Sequence, residues 1–289
     1  MVVPVEDLHV LTLEIAPERV EEITAWLIEV SGTSPVEFDR PSRAKVWLEV
    51  YFQDEIAALL VASSAQLRFA CPSAVRALAQ QDWTRFWQHH FKPHCIGRRI
   101  WIRPAWSDAS PPDPGRQTIL VNPGLSFGTG EHFTTRFCLE ALDAFLETAP
   151  VPERLLDAGC GSAIISIAAA ALGCPEILAV DHDPLALESA RENLELNGVS
   201  GITLQQMDLT TEWPEGSFDW IFANLLSSLL VELSPRLARS CTEYLVVTGI
   251  REIEAEMVAE AFARNGLAEV RSDGDREWCG FVFKKGRPG

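Results

Sequence analysis

The stretch LLDAGCGSAIISIAA, residues 155–169, contains the residue types of a nucleoside-binding turn. An apolar strand pattern is followed by Gly159 and Gly161, and then by a helix pattern of small apolar residues. Glycines at the carboxyl end of the first strand of an open α/β sheet allow a ligand to lie against the backbone. A dinucleotide fingerprint requires a third glycine where this chain has Ile164, so the sequence disfavours NAD.

Two carboxylates near this turn narrow the class of ligand. Asp157 lies two residues before Gly159, where a negative charge would repel a pyrophosphate and suit a cationic ligand. Asp181 ends the next apolar stretch, ILAVD, where an acid can accept hydrogen bonds from both hydroxyls of a ribose. Together they favour a nucleoside with a positive group and no phosphate, which describes S-adenosylmethionine. The alternative is that Asp157 caps a turn and Asp181 caps a helix.

Two later polar residues could complete such a site. Asn224 closes the apolar stretch FDWIFAN on the same edge of the predicted sheet. Its amide can accept a hydrogen bond from an amine and so aim the amine lone pair at a methyl group. Asp208 closes ITLQQMD and could face the adenine edge of the nucleoside. The structural alternatives are a helix cap at Asn224 and a turn at Asp208.

The loop NPGLSFGTGEHFTT, residues 122–135, has too little side chain to pack a core and too many polar features for a plain connector. Its glycines, Gly130 among them, permit close backbone approach and positive φ. Its twin threonines precede a helix pattern, where a helix would be capped. Backbone and hydroxyl donors could therefore converge on a ligand, which the loop alone does not name.

These residues require a parallel sheet to bring them together. From about residue 118 onward, apolar strand patterns alternate with helix patterns, which is typical of a parallel sheet covered on both faces. The last two strand patterns, AEVRSD and WCGFVFKK, lack an intervening helix and predict an antiparallel pair at one edge. We therefore expect an α/β fold with a mostly parallel sheet of the Rossmann-like kind.

The first third of the chain has a different pattern. Strand and helix signals follow in the order βαββα with a return strand, which suggests a small α+β domain resembling the ferredoxin-like motif. A Trp-rich stretch and the Pro-rich segment SDASPPDPGRQT come next. We expect a substrate-recognition domain at 1–78, a joint and linker at 79–117, and a catalytic domain at 118–289.

Composition limits the classes of function. The 289 residues are 47% hydrophobic and 22% charged, which suits a globular protein with a sizeable core. The formal charge of −17 disfavours a nucleic-acid partner and favours a basic one. No apolar run is long enough to span a bilayer, and the seven irregularly spaced cysteines fit reduced thiols. We expect a cytoplasmic monomer that binds neither membrane nor nucleic acid.

Five stretches of the sequence together resemble the PrmA-type methyltransferases. They are the motifs GLSFGTGEHFTT, LLDAGCGSA, AVDHDP and FANLL, and the joint DWTRFWQHHFKPHCIGRRIWI. This family methylates lysines and the N-terminal amine of the large-subunit ribosomal protein L11. The resemblance covers nearly the whole chain and is best from about 82 to 225. It implies a seven-stranded class I methyltransferase domain that uses S-adenosylmethionine, and a basic ribosomal protein as substrate.

The resemblance also implies individual contacts with the cofactor, from Thr135, Gly159, Asp181 and Asn224. The loop would fold over the methionine end of the cofactor, with Phe127 beside the sulfonium or the incoming amine. His132 is either a general base or a structural hydrogen-bonding residue of the loop. Two positions depart from the family, since Ala163 stands where glycine is usual and Asn122 where aspartate is usual. Cofactor affinity is in question at both positions.

The sequence by itself leaves other functions open. The cluster HHFKPHC has no standard zinc spacing and the chain has no CxxC, so no metal site is expected. The same Trp-rich and basic stretch could stack on RNA, which would make the protein a methyltransferase of RNA or of another amine. An oxidoreductase and a catalytically silent binding module are the remaining alternatives.

Overall fold

The computed structural model of the chain describes residues 8–31, 35–38, 45–52, 54–78, 91–122, 130 and 132–286. The chain divides into two compact units, Met1–His90 and Phe91–Gly289. Nothing in the described part of the chain is a helix both long and apolar enough to cross a membrane. All seven cysteines are unpaired, and six of them are buried.

The first unit is a four-stranded antiparallel sheet with two helices. Its elements are β1 (Leu8–Ile15), α1 (Val20–Ser31), β2 (Val36–Phe38), β3 (Val46–Phe52), α2 (Glu55–Phe69) and β4 (Ser73–Leu78). The strand order is β2-β3-β1-β4, as in a ferredoxin-like domain. Alternate residues of β1 and β3, including Leu11, Leu13 and Leu48, pack with Ile23 and Leu27 of α1. The predicted α+β motif is confirmed.

The second unit begins with a small three-stranded sheet. It comprises β5 (His94–Ile96), β6 (Ile100–Pro104) and β7 (Gln117–Val121), with β5 antiparallel and β7 parallel to β6. Residues 91–117, which the sequence assigned to the joint and linker, therefore carry two strands and the start of a third, and belong to the second unit. The boundary between the compact units falls after residue 90. The assignment of separate tasks to 1–78, 79–117 and 118–289 stays a prediction.

The main sheet has seven strands. They are β8 (Arg154–Ala158), β9 (Glu176–Asp181), β10 (Ile202–Gln206), β11 (Phe218–Asn224), β12 (Cys241–Arg251), β13 (Leu267–Gly274) and β14 (Trp278–Lys285). The helices between them are α3 (Phe133–Thr148), which precedes β8, α4 (Ile164–Ala171), α5 (Pro184–Asn197), α6 (Ser227–Ser240) and α7 (Ala255–Arg264).

The strand order of this sheet is β10-β9-β8-β11-β12-β14-β13. The first five strands in this order are parallel, and β14 is antiparallel to both β12 and β13, as the last two strand patterns predicted. The chain moves outward from β8 to β10 and then returns to β11 on the other side of β8. This reversal makes the carboxyl ends of β8 and β11 the place where an open α/β sheet is expected to bind a ligand. The predicted fold class, α/β with a mostly parallel seven-stranded sheet, is confirmed.

One buried carboxylate attaches the β5–β6 hairpin to α3. Asp143 of α3 accepts hydrogen bonds from the backbone N–H groups of Arg98 (2.9 Å) and Arg99 (3.0 Å), and from the Arg99 guanidinium (3.3 Å). Gly97 lies so close that any Cβ at this position would overlap the carboxylate. The hairpin is therefore fixed to the helix whose first turn contains the twin threonines.

Asp143→Asn tests this attachment. The amide would place an N–H₂ donor where the carboxylate accepts from two backbone donors, so one buried donor loses its partner. We expect a loss of about 2 kcal/mol in the free energy of unfolding, measured by urea denaturation. Asp113→Asn is the control, because Asp113 is exposed and only pairs with Arg116 at i+3; it should change stability by less than about 0.5 kcal/mol. Equal effects of the two variants would contradict the assignment.

Candidate active site

The glycine turn follows β8 and lies between two neighbouring strands. The N–H groups of Gly159 and Cys160 both donate to the Val180 carbonyl at 2.9 Å, which joins the turn to the end of β9. Gly159 and Gly161 have φ values of 75° and 53°, in the region that favours glycine. A Cβ at Gly159 would overlap the Leu225 side chain. The turn therefore presents bare backbone at the edge of the sheet.

Asp181 is held in place by the turn that it faces. One carboxylate oxygen accepts from the Gly161 N–H at 2.9 Å, and the other accepts from the Asp183 N–H at 3.0 Å. The side chain is 11% exposed. A carboxylate has about four acceptor positions, so Oδ2 keeps capacity for one further donor, while Oδ1 also lies 3.4 Å from Nδ1 of the exposed His182. This geometry fits a pair of ribose hydroxyls, while Asp183, rather than Asp181, caps α5.

Asp157 has a structural partner. It is 1% exposed, and one of its oxygens accepts from the Ser166 hydroxyl at 2.6 Å and from the Ser166 N–H at 3.2 Å. Burial raises the pKa of Asp157 to about 6, although the hydrogen bonds from Ser166 oppose this rise. The observed contacts attach the first turn of α4 to β8, which corresponds to the structural alternative. Its contact with a cationic cofactor stays a prediction.

Asp208 and Gly130 lie in different surroundings. Asp208 is exposed, and one of its oxygens accepts from the Thr210 N–H (2.9 Å) and hydroxyl (2.7 Å), which lowers the pKa of Asp208. These bonds form a turn, so its contact with adenine stays a prediction. Gly130 is buried with φ of 85°, and a Cβ there would lie 2.7 Å from Ile102 Cδ1. Phe127 lies outside the described residues.

Thr135 supplies a test of whether a ligand fits this site. It lies in the first turn of α3 and is 2% exposed. Its hydroxyl is buried and has no hydrogen-bond partner among the residues that the structure describes. Buried hydroxyls in native proteins almost always have a partner. An orphaned hydroxyl at the position where the sequence predicts a cofactor contact is the feature expected of a binding residue.

Asn224 ends β11 beside the same helix. Its Nδ2 donates to the Thr134 hydroxyl at 3.2 Å, and it pairs in register with Thr248 of β12. Gly249, with φ of 84°, lies against its other side, where a Cβ would be 3.0 Å from Asn224 Oδ1 and 2.5 Å from the Leu225 carbonyl oxygen. Sequence reasoning missed Thr134 and Gly249. A glycine inside the apolar strand pattern YLVVTGI, which often marks a bulge, was the one signal for the latter.

His132 caps α3 with its side chain. Its Nδ1 accepts from the Thr134 N–H at 3.3 Å and lies 2.8 Å from the Thr134 hydroxyl. The ring also packs edge-to-face on Trp278, with ring centroids 5.5 Å apart. Burial lowers the pKa of His132, against the opposing effect of Asp275 and Glu277. Of the two roles considered for His132, these contacts correspond to the structural one.

The two departures from the family have different surroundings. Ala163 is fully buried at the N-terminus of α4 with φ of 58°, a conformation that costs an L-residue about 1–2 kcal/mol. Glycine would adopt it without that cost. Asn122 uses its backbone N–H to bind the Asn193 side chain at 3.2 Å, a contact available to any residue except proline. Their effect on cofactor affinity stays a prediction.

Within the described residues, no group of three or more histidine, cysteine, aspartate or glutamate side chains is arranged to hold a metal ion. His89 and His90 of the HHFKPHC cluster lie outside these residues. The Nδ1 of His94 lies 3.0 Å from the Lys92 carbonyl oxygen, and Cys95 is exposed.

The family model described as "Ribosomal protein L11 methyltransferase (PrmA)" matches residues 11–286. This chain belongs to that family. A Geobacter sulfurreducens relative named "Ribosomal protein L11 methyltransferase" is 39% identical over 212 residues, which cover 73% of this chain and 68% of the relative. A relative of the same name from Chloroflexus aurantiacus is 30% identical over 322 residues, covering 95% of this chain and 97% of the relative.

A solved structure agrees with this membership of the PrmA family. The crystal structure of "ribosomal protein L11 methylase" from Lactobacillus delbrueckii subsp. bulgaricus superimposes with a TM-score of 0.62 at 29% identity. The match covers 68% of this chain and all of that chain. The resemblance drawn from the sequence motifs is confirmed.

Gly249→Ala tests the crowding around Asn224. The new Cβ would approach the Asn224 amide oxygen and the Leu225 carbonyl, so we expect methyl transfer to fall by about 10-fold or more, because small misplacements of reacting groups are costly. Gly266→Ala is the matched control, since Gly266 has a similar φ of 77° and nothing within 4 Å of its Cβ position. Initial rates and melting temperatures of both variants separate crowding from backbone strain. Equal losses of rate would contradict a specific effect at Asn224.

Asp157→Asn tests the raised pKa. The native state binds this proton more tightly than the unfolded chain, whose carboxyl titrates near 3.8. The contribution of Asp157 to stability is therefore fully present below about pH 4 and is lost as pH rises through about 6, by about 3 kcal/mol in all. Asparagine keeps an acceptor for Ser166 but does not titrate. Urea denaturation should show the variant gaining stability relative to the parent between pH 4 and 7, and a constant difference would refute the shift.

Proposed function

We propose that this chain transfers methyl groups from S-adenosylmethionine to lysine and α-amino nitrogens of ribosomal protein L11. The observation that carries this proposal is the convergence, at one edge of the main sheet, of a bare glycine turn, the Asp181 carboxylate, the orphaned Thr135 hydroxyl and Asn224. The names of the family and of its relatives supply the substrate.

Each binding residue would contact a different part of the cofactor. Asp181 accepts from the ribose hydroxyls, and the turn from Gly159 to Gly161 lets the nucleoside approach the backbone. The Thr135 hydroxyl, which has no partner among the described residues, would gain one by contacting the methionine portion. When bound, S-adenosylmethionine supplies an activated methyl group with a good leaving group, so the protein contributes mainly alignment.

The nucleophile is the chemical obstacle, because a lysine with its reference pKa near 10.4 is roughly 99.9% protonated at pH 7. Burial against apolar walls favours the neutral amine. The Oδ1 of Asn224 accepts a hydrogen bond from that amine and so fixes the direction of its lone pair. Asn224 is the catalytic residue of this proposal, and no dedicated general base is assigned.

The net charge and the fold of the first unit support a basic protein as substrate. A net charge of −17 favours a basic partner such as a ribosomal protein, and repels nucleic acid. The ferredoxin-like domain at 1–78 recognises the substrate. We propose that the enzyme acts in the cytoplasm, which a ribosomal protein as substrate supports, and that it acts as a monomer.

The contacts of the basic segment do not favour the RNA alternative. Arg99 binds Asp143, Arg98 pairs with Glu147 at 3.2 Å, and the Arg103 guanidinium donates to backbone carbonyls. These three arginines each have an acceptor within the protein, and the pair of Arg98 is at the surface, where its side chain is 80% exposed.

The decisive experiment is incubation of the protein with isotopically labelled S-adenosylmethionine and purified large-subunit ribosomal proteins, followed by mass spectrometry. We expect label on lysine and α-amino nitrogens of L11. A parallel incubation with ribosomal RNA fragments at several salt concentrations serves as the comparison. Label on RNA alone, or on no component, would reject the proposal.

Two substitutions separate catalysis from binding. Asn224→Ala should lower kcat by about 100-fold and change the cofactor dissociation constant far less, because the amide acts on the incoming amine. Asp181→Ala should chiefly weaken cofactor binding, by about 10-fold or more, through lost charge-assisted hydrogen bonds. Steady-state kinetics and calorimetric titration with the cofactor measure the two effects. Unchanged turnover in Asn224→Ala, or unchanged affinity in Asp181→Ala, would remove that residue from its role.

A further inference from the structure

Two side chains at the start of α3 and a third at the end of β11 form a continuous hydrogen-bonded row. His132 Nδ1 lies 2.8 Å from the Thr134 hydroxyl oxygen, which in turn lies 3.2 Å from Nδ2 of Asn224. Thr134 is 1% exposed, so its hydroxyl must find its partners within the protein. The row connects the N-terminus of a helix to the residue proposed to orient the amine.

The direction of every hydrogen bond in this row follows from one backbone contact. The Thr134 N–H donates to His132 Nδ1 at 3.3 Å, so this nitrogen carries a lone pair and not a proton. The Thr134 hydroxyl, 2.8 Å from the same nitrogen, must then donate its proton to it. Only acceptor positions remain on the Thr134 oxygen toward Asn224. The Asn224 amide must present its N–H₂ group there, since two acceptors would repel each other.

A neutral imidazole is required for this arrangement, and its surroundings favour one. Burial lowers the pKa of His132. Among the described residues, Asp275 and Glu277 oppose that effect, and Trp278 packs on the ring. The proton of the neutral ring then lies on Nε2.

We propose that Thr134 and His132 are positioning residues for methyl transfer, because the helix cap fixes the rotamer of the Asn224 amide and so directs Oδ1 toward the amine. This inference rests on the proposed function, in which Asn224 Oδ1 accepts from the substrate nitrogen. An asparagine without this row could rotate its amide by 180° at little cost, and would then present N–H₂ to an amine that needs an acceptor. The oxygen side is bounded by Gly249, whose lack of Cβ leaves space beside Oδ1.

The test removes the Thr134 hydroxyl while keeping its shape. In Thr134→Val, the amide of Asn224 loses its partner, and we expect kcat to fall by about 10-fold or more with KM for the substrate and cofactor affinity nearly unchanged. Thr134→Ser keeps the hydroxyl and should retain most of kcat. Thr248→Val is the matched control, because its buried hydroxyl binds the Cys279 carbonyl at 3.1 Å beside Asn224 without touching the amide. A kcat in Thr134→Val equal to that of the control overturns the inference.

A double-mutant cycle distinguishes positioning from general stability. If Thr134 acts through Asn224, then Thr134→Val should cost nothing further in an Asn224→Ala background. Multiplicative losses would overturn the inference, whatever the melting temperatures. If Thr134→Val does not fold at the assay temperature, Thr134→Ser decides by itself, and a large loss of kcat in this variant, with intact cofactor binding, counts against the inference.

The outcome for Asn224 alone separates this inference from the proposed function. If Asn224→Ala keeps full kcat on L11, the proposed role of Asn224 fails and the inference fails with it. If Asn224→Ala loses kcat while Thr134→Val does not, only the positioning role is wrong. If the parent protein does not methylate L11, the failure lies in the proposed function.

Discussion

The pairing of β8 with β11 is the constraint on which the site depends. These strands are separated in sequence by β9 and β10, but they are hydrogen-bonded neighbours because the chain reverses direction across the sheet. At such a reversal, the carboxyl ends of the two strands are the place where open α/β sheets bind ligands. The glycine turn after β8 and Asn224 at the end of β11 consequently share one edge. Neither could serve a common ligand in another strand order.

The polar groups around this edge differ in how many of their hydrogen-bonding positions are already used within the protein. Asp157 binds Ser166 of the following helix, and Asp208 binds Thr210 of its own turn, whereas Thr135 has a buried hydroxyl without a partner in the described part of the chain. Asp181 lies between these cases, since it holds the glycine turn and retains acceptor capacity. Unsatisfied capacity at a buried position indicates a binding residue more directly than residue type does.

Helix α3 connects the parts of the second unit. Its Asp143 fixes the β5–β6 hairpin, His132 caps its N-terminus, and its first turn contains Thr134 and Thr135. The segment that resembled a linker is therefore partly built into the unit that carries the site. Proline-rich composition predicted a surface segment, but it could not show that β6, the strand before this segment, pairs with β7, the strand after it. Strand pairing depends on distant partners, and composition carries no information about them.

The sequence by itself determined the fold class, the α+β character of the first unit and the positions of most cofactor-binding candidates, because hydrophobic periodicity and glycine spacing are local properties of the chain. It also determined the family, through the GTGEHFTT loop and the motifs at 155–163 and 222–226. Only the tertiary structure decided which candidates are already engaged, as at Asp157 and Asp208. It likewise decided that Thr134 and Gly249 flank the Asn224 amide. These contacts join residues far apart in the chain, and no local sequence pattern encodes which side chains meet when helices pack on a sheet.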